Sequence, residues 1–229
     1  MATVKVRDII RRVEDVLQDT NIRWPRLELQ NWINESYLAI TLLRPDANAK
    51  AATFTCAAGT RQVLTAQYPS ALRLLDVTRN VATTSSKKVI RLVARSVLDD
   101  QRPAWHSETQ TVDIQHYTFD PRQPKEFFVY PPATSAAEIE VVYAAAPEAH
   151  TLTESELHPD TGSAEVIKLD DIYTSPIIDW VLYRAYSKDA EYGANEARAA
   201  ASYQAFNSAI GAKSQTDTAV SPQNVSSVT

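Results

Sequence analysis

The chain has 229 residues, enough for one large domain or two small ones around a hydrophobic core. Its net charge of −5 excludes the strongly basic composition that is typical of a general nucleic-acid-binding protein. Only four glycines occur, at 59, 162, 193 and 211, so the glycine-rich loops that cradle nucleotide phosphates are absent.

Cysteine content and hydropathy exclude two further classes of protein. Cys56 is the only cysteine, which rules out an internal disulfide and a thiolate metal cluster, and we expect it to be a buried apolar side chain. No uncharged apolar stretch approaches the roughly 20 residues of a membrane helix. The N-terminal segment also lacks the long apolar core of a signal peptide. The sequence therefore predicts a soluble protein, made in a cytoplasm, with no membrane partner.

Two amphipathic helices are predicted at the start of the chain. Apolar side chains recur at three- and four-residue steps from residue 4 to 19, and Asp19 begins a polar turn. Pro25 suits the first turn of a second helix, which Pro45 ends. These two helices form a hairpin with one apolar seam.

The apolar period changes near residue 50, where short strands replace helices. A helical turn is predicted at 94–100, and a hairpin turn at 120–124. The predicted strands cover residues 52–56, 62–64, 72–77, 89–93, 117–119, 126–130 and 138–143. The middle of the chain is therefore predicted to be a small, mixed, mainly antiparallel β region.

Two more helices are predicted after a polar connection at 144–168. Ser175 is the predicted N-cap of the first, and Gly193 is predicted to separate it from the second. The second is rich in alanine and is predicted to end near Ile210. Small side chains let helices approach closely, so we expect it to pack tightly on a neighbouring helix.

Histidines and paired carboxylates are the candidates for catalytic or metal chemistry. The four histidines, at 106, 116, 150 and 158, lack the closely spaced pairs of a zinc site, and we expect His150 and His158 to be solvated. For Asp99-Asp100 we expect a solvated turn, and for Asp170-Asp171 a favourable interaction with a helix N-terminus. No GxSxG motif occurs. We therefore expect no catalytic residue, no metal and no cofactor.

The N-terminal hairpin is more basic than the rest of the chain and carries two tryptophans. We expect its arginines to form ion pairs with neighbouring acids, the alternative being a face turned toward an acidic partner or DNA. They are Arg7, Arg11, Arg12, Arg23 and Arg26. Trp24 and Trp32 are predicted to be core or interface anchors, because Trp buries a large area and is enriched where proteins meet.

The C-terminal segment after Gly211 is polar and has only scattered valines. It cannot bury a core of its own, since ordering each residue costs about 1–2 kcal/mol of backbone entropy. We therefore predict an extended arm at 212–229 that contacts another surface through Val220, Val225 and Val228.

Motifs near both ends of the chain carry a family resemblance. The N-terminal motifs are Asp8-Ile9-Ile10, Leu17-Gln18-Asp19, Arg23-Trp24, Trp32-Ile33-Asn34 and Leu43-Arg44-Pro45-Asp46-Ala47. With them, the segment from residue 8 to 48 resembles the N-terminal helical hairpin of tailed-phage head-to-tail adaptor (head–tail connector) proteins. The segment from Trp180 to Phe206 is similar to the closing helices of the same group.

The predicted elements, together with the helical bundle that the resemblance implies, give an α+β fold in four segments. Residues 1–48 and 170–211 would form a helical bundle, residues 49–169 an inserted β-rich region, and residues 212–229 an extended C-terminal arm. The central region carries no motif that matches the group.

The resemblance also implies a structural virion protein that is not an enzyme. Adaptors of this group form a ring, usually of twelve copies, beneath the portal protein. The ring extends the DNA channel without sequence-specific binding and docks tail or nozzle proteins. Such a subunit would be made in the host bacterial cytoplasm and would reside at the head–tail junction of the virion. Two alternatives stay open: another tail-completion or portal-proximal structural protein, and a small cell-wall hydrolase.

Overall fold

A computed structural model of the chain describes residues 2–189 and 193–220, with side chains described as far as Gly211. The helices are α1 (Val6–Leu17), α2 (Arg26–Leu43), α3 (Arg95–Gln101), α4 (Thr174–Lys188) and α5 (Gly193–Val220). The strands are β1 (Ala49–Thr55), β2 (Gly59–Val63), β3 (Ala71–Asn80), β4 (Arg91–Leu92), β5 (His116–Phe119), β6 (Glu126–Ala133) and β7 (Glu138–Ala145). The fold is therefore mixed α+β, as the sequence predicts.

The chain divides into two compact units. The helical unit contains both ends of the chain, up to Arg44 and from Pro147 onward, and the β unit runs from Pro45 to Ala146. Residues 147–169, which the sequence analysis grouped with the inserted region, thus belong to the helical unit.

In the helical unit, α1 and α2 both pack on α4. Ile9 of α1, Ile33 of α2 and Ile177 of α4 are each fully buried, as the apolar stripes of amphipathic helices require. Each fully buried side chain of this size contributes about 1.5–3 kcal/mol. The α5 helix packs chiefly on α4, and these two helices form a helical hairpin.

The β unit contains two sheets that share one core. One sheet has the order β1-β7-β3 and is antiparallel throughout. The other has the order β2-β6-β5-β4, in which only the short β4–β5 pairing is parallel. Phe54, Val141 and Phe127 are fully buried in this common core, and the rings of Phe54 and Phe127 meet edge to face at 5.6 Å.

Two predicted helix ends differ from the structure. Helix α4 begins at Thr174, so Ser175 lies inside it, and Asp170 instead caps the short 3-10 turn before it. Helix α5 continues through Gly211 to Val220. An isolated glycine inside a helix costs only about 1 kcal/mol, so Gly211 does not have to end α5. The first proline after Gly211 is Pro222. Residues 212–220 are therefore helical where the sequence analysis predicted an extended arm.

Candidate interaction site

The two predicted anchor tryptophans are both buried inside the helical unit. The indole N–H of Trp24 donates to the backbone carbonyl of Ala185 on α4 at 3.2 Å, and the Arg23 guanidinium lies over its ring. Trp32 is buried on α2. Both side chains thus contribute to the core of the helical unit rather than to its exposed surface.

Helix α5 lies antiparallel to α4 in a register set by aromatic contacts. The ring centroids of Trp180 and Phe206 are 5.0 Å apart, as are those of Tyr183 and Tyr203. Continuing this pairing, the first residue of α4, Thr174, lies opposite Ala212. The remaining eight residues of α5, about 12 Å of helix, therefore extend past the end of α4.

The predicted docking valines fall at and beyond the end of this extension. Val220 is the last residue of α5. Val225 and Val228 lie outside the described residues. Their role as contacts to another protein remains a prediction.

The arginines of the N-terminal hairpin are mostly held by partners within the helical unit. Arg26 pairs with the buried Glu14 at 2.7 Å, and Arg23 pairs with Asp189 at the end of α4. Arg7 and Arg11 donate to backbone carbonyls of Gly162 and Pro159, and Arg11 also pairs with Asp160. These contacts bind the hairpin to the rest of its unit, which favours the ion-pair interpretation over a free basic face.

His150 is buried, which contradicts the expectation that it is solvated. Only 2% of its surface is exposed. Its Nε2 lies 2.8 Å from the Tyr37 hydroxyl, and its Nδ1 lies 2.7 Å from a Glu165 carboxylate oxygen, which Lys168 also contacts. Burial is the largest cause lowering the pKa of His150, while burial raises the pKa of Tyr37. A neutral imidazole that donates through Nδ1 and accepts at Nε2 satisfies both contacts.

The connection around His150 is held by side-chain amides of α2. Asn34 donates to the His150 carbonyl at 3.0 Å and accepts the His150 N–H at 2.8 Å. Gln30 makes the same reciprocal pair of hydrogen bonds with the backbone of Leu152. Two amide side chains thus take the place of a neighbouring strand, a role that no short sequence motif marks.

The candidate catalytic groups make hydrogen bonds typical of structural roles. Asp171 accepts from the Thr3 hydroxyl and from the backbone N–H groups of Thr3 and Val4, and these bonds, the hydroxyl's above all, lower the pKa of its carboxyl. Asp99 accepts from the indole of Trp105. Cys56 is buried, as predicted, and burial raises the pKa of its thiol to about 12. Among the described residues, no group of three or more His, Cys, Asp or Glu side chains could hold a metal ion.

A family model, the SU10 adaptor protein, matches residues 4–226 of the chain. The chain belongs to the SU10 adaptor protein family. This is a family of phage head-to-tail adaptors, so the resemblance found in the sequence is confirmed. No curated protein sequence matches the chain. Membership implies a structural, non-enzymatic component of a phage virion, which interacts with portal and tail proteins. Within the described residues, no helix is both long and apolar enough to cross a membrane.

Two exposed helix faces of the chain carry no charge. On α2, Leu38, Leu42 and Leu43 are exposed, Leu42 by 81%, within a stretch from Ser36 to Leu43 that has no ionisable acid or base other than Tyr37. On α5, no acidic or basic residue occurs from Ala199 to Ala212. Its exposed side chains in that stretch are mostly small or polar: Ala200, Ala201, Tyr203, Gln204, Ala205, Asn207 and Ser208. The exposed leucines of α2 form an apolar cluster of the kind that marks a protein–protein contact, whereas the α5 face is uncharged but largely small and polar.

Proposed function

We propose that this member of the adaptor family forms a closed ring, of about twelve copies, beneath the portal protein of a tailed phage. The ring extends the DNA channel, and DNA passes through it without sequence-specific binding. Tail or nozzle proteins dock on its far side. The observation that carries this proposal is the family match over nearly the whole chain.

The two uncharged helix faces support a ring rather than a two-fold pair. The leucines of α2 and the small side chains of α5 are different surfaces, and we propose that the leucines of one subunit pack on the small side chains of the next. A contact between two different surfaces of identical subunits is heterologous, and repeating it closes a ring when the rotation between subunits divides a full turn. A two-fold contact would instead use the same surface on both subunits.

We propose that residues 212–229 attach the ring to the portal or to a neighbouring subunit. The end of α5 extends past α4 and so lacks that helix as a partner. Val220, Val225 and Val228 supply the apolar contacts of this arm. Many weak arms on one ring combine their affinities, so each one needs to contribute little.

A truncation tests this attachment. Deleting residues 212–229 leaves the aromatic contacts of Tyr203 and Phe206 with α4 in place, so we expect the subunit to keep its stability. Binding to purified portal protein should weaken at least tenfold, because the apolar anchors are lost. A variant with Val220, Val225 and Val228 changed to Ser keeps the length of the arm and should weaken binding in the same direction. If the truncated chain binds portal as tightly as the full chain, the arm is not an attachment element.

A further inference from the structure

The β unit contains a basic segment in an otherwise acidic protein. From Val77 to Leu98 the sequence has five basic residues and no acidic one, although the whole chain has a net charge of −5. Two of the five are neutralised, since Arg79 pairs with Glu140 and Arg95 with Asp99. The other three make no ion pair with any described residue: Lys87, Lys88 and Arg91.

These three cations line one side of an open pocket of about 790 Å³ in the β unit. Its polar lining residues are Ser86, Lys87, Lys88, Arg91, Asp113, Gln115 and His116. The one acid among them, Asp113, already accepts the backbone N–H of Ser86 at 2.7 Å. His116 adds a buried Nδ1 that has no hydrogen-bond partner among the described residues. A buried polar atom without a partner costs about 1–3 kcal/mol, which is typical of a site completed by another molecule.

A buried asparagine fixes the two walls of the pocket relative to each other. The Asn80 side chain is fully buried and donates to the carbonyls of Lys88 and Ile114, at 3.0 and 2.8 Å. Its oxygen accepts the N–H of Ile114 at 2.8 Å. The lysine loop and the segment before β5 are thus held in place before any partner arrives, which lowers the entropic cost of binding.

Apolar side chains among the cations distinguish between possible ligands. Val89 lines the pocket with 69% of its surface exposed, and Leu92, which is 61% exposed, follows Arg91 on β4 just outside the pocket lining. A phosphate group or a nucleic-acid backbone satisfies the cations but gives these two side chains nothing to pack against. A protein segment that carries both carboxylates and apolar side chains satisfies both requirements.

We propose that this pocket docks an acidic, partly apolar segment of another protein. Lys87, Lys88 and Arg91 contact its carboxylates, and Val89 and Leu92 pack on its apolar side chains. The site lies in the β unit and uses neither the arm nor the helix faces of the proposed ring. The docking of this segment can therefore be tested independently of the ring.

The test measures binding of a fluorescent peptide of about a dozen alternating Glu and Val residues to the full chain. The patch variant carries Lys87→Ser, Lys88→Ser and Arg91→Ser. The control variant carries Lys50→Ser, Arg122→Ser and Lys125→Ser, three exposed basic residues elsewhere in the β unit, and so has the same net charge. Inorganic phosphate and a short DNA duplex are measured as competitors.

We expect the patch variant to bind the peptide at least tenfold more weakly than the native chain, and the control variant to bind within twofold of it. Changing Val89 and Leu92 to Ser should weaken peptide binding at least threefold without changing the effect of phosphate. Equal losses in the patch and control variants would overturn the proposal, because the attraction would then follow net charge alone. It would also be overturned if the native chain does not bind the peptide, or if the duplex displaces the peptide at a lower concentration than unlabelled peptide does.

Discussion

Replacing Asn80 with Ala should destabilise the β unit far more than an ordinary polar-to-alanine change. Three side-chain hydrogen bonds are lost, to Lys88 and to both backbone groups of Ile114. At about 1 kcal/mol each they account for about 3 kcal/mol. The Ile114 N–H is then left buried without a partner, which adds about 1–2 kcal/mol. The expected loss of about 4 kcal/mol is a large part of the 5–15 kcal/mol by which a typical domain is stable.

Asn48→Ala is the matched control, because Asn48 lies in the same unit and its side chain donates one hydrogen bond, to the Ala145 carbonyl. It should lose about 1 kcal/mol. Urea unfolding followed by ¹⁹F NMR of fluorotryptophan-labelled protein isolates the β unit, since Trp105 is its only tryptophan. A loss for Asn80→Ala no larger than that for Asn48→Ala would refute the reasoning. It would mean that Asn80 does not hold the pocket walls.

Three further predictions concern single side chains. Burial lowers the pKa of His150 below its ordinary value of 6.5, so on acidification the unfolded chain binds a proton before the folded chain does. The free energy of unfolding should therefore fall as pH drops below 6.5 toward the folded-state pKa. In urea titrations, His150→Gln should flatten this pH dependence. Cys56, whose thiol pKa is raised to about 12, should react with a disulfide reagent at pH 8 only after denaturant is added, and rapid reaction of the native chain would contradict its burial. Leu42→Ser should change the melting temperature little, because the side chain is exposed, but should shift mass photometry from rings to single subunits; Leu92→Ser, also exposed, should leave rings intact.

The helices and most strands were predictable because their burial follows a simple period. The stripe that includes Ile9 and Val13 on α1 is buried as its spacing predicts, and the hairpin of β5 and β6 forms around the turn predicted at 120–124. The family resemblance was also present in motifs that a sequence displays directly.

Long-range polar contacts account for most of what the sequence did not reveal. The burial of His150 depends on Tyr37 and Glu165, which are far from it along the chain, and on the amides of Gln30 and Asn34. Glu, Gln and Asn are mostly exposed in proteins and Tyr and His are intermediate, so no local pattern indicates that these side chains converge. The sequence analysis ended α5 near Gly211 because glycine is typical of a helix C-terminus. The polar residues that follow nevertheless tolerate a helix, and α5 continues to Val220.

The basic pocket could be predicted from the sequence only in part. The absence of acids from Val77 to Leu98 can be counted in the sequence. Which of its cations are neutralised cannot, because Glu140 reaches Arg79 only through the pairing of β3 with β7. In the sequence, Asn80 likewise has only the features of an ordinary loop-forming residue. Its role becomes visible only in the fold, where Ile114 lies beside it.

We propose above all that this chain forms a ring that attaches to the portal. Cryo-electron microscopy of the purified full chain mixed with portal protein tests it most directly. We expect a ring of about twelve subunits on one end of the portal, with α2 of each subunit against α5 of the next and the C-terminal residues on the portal surface. Particles that contain only two-fold dimers, or portals that carry no ring, would contradict it.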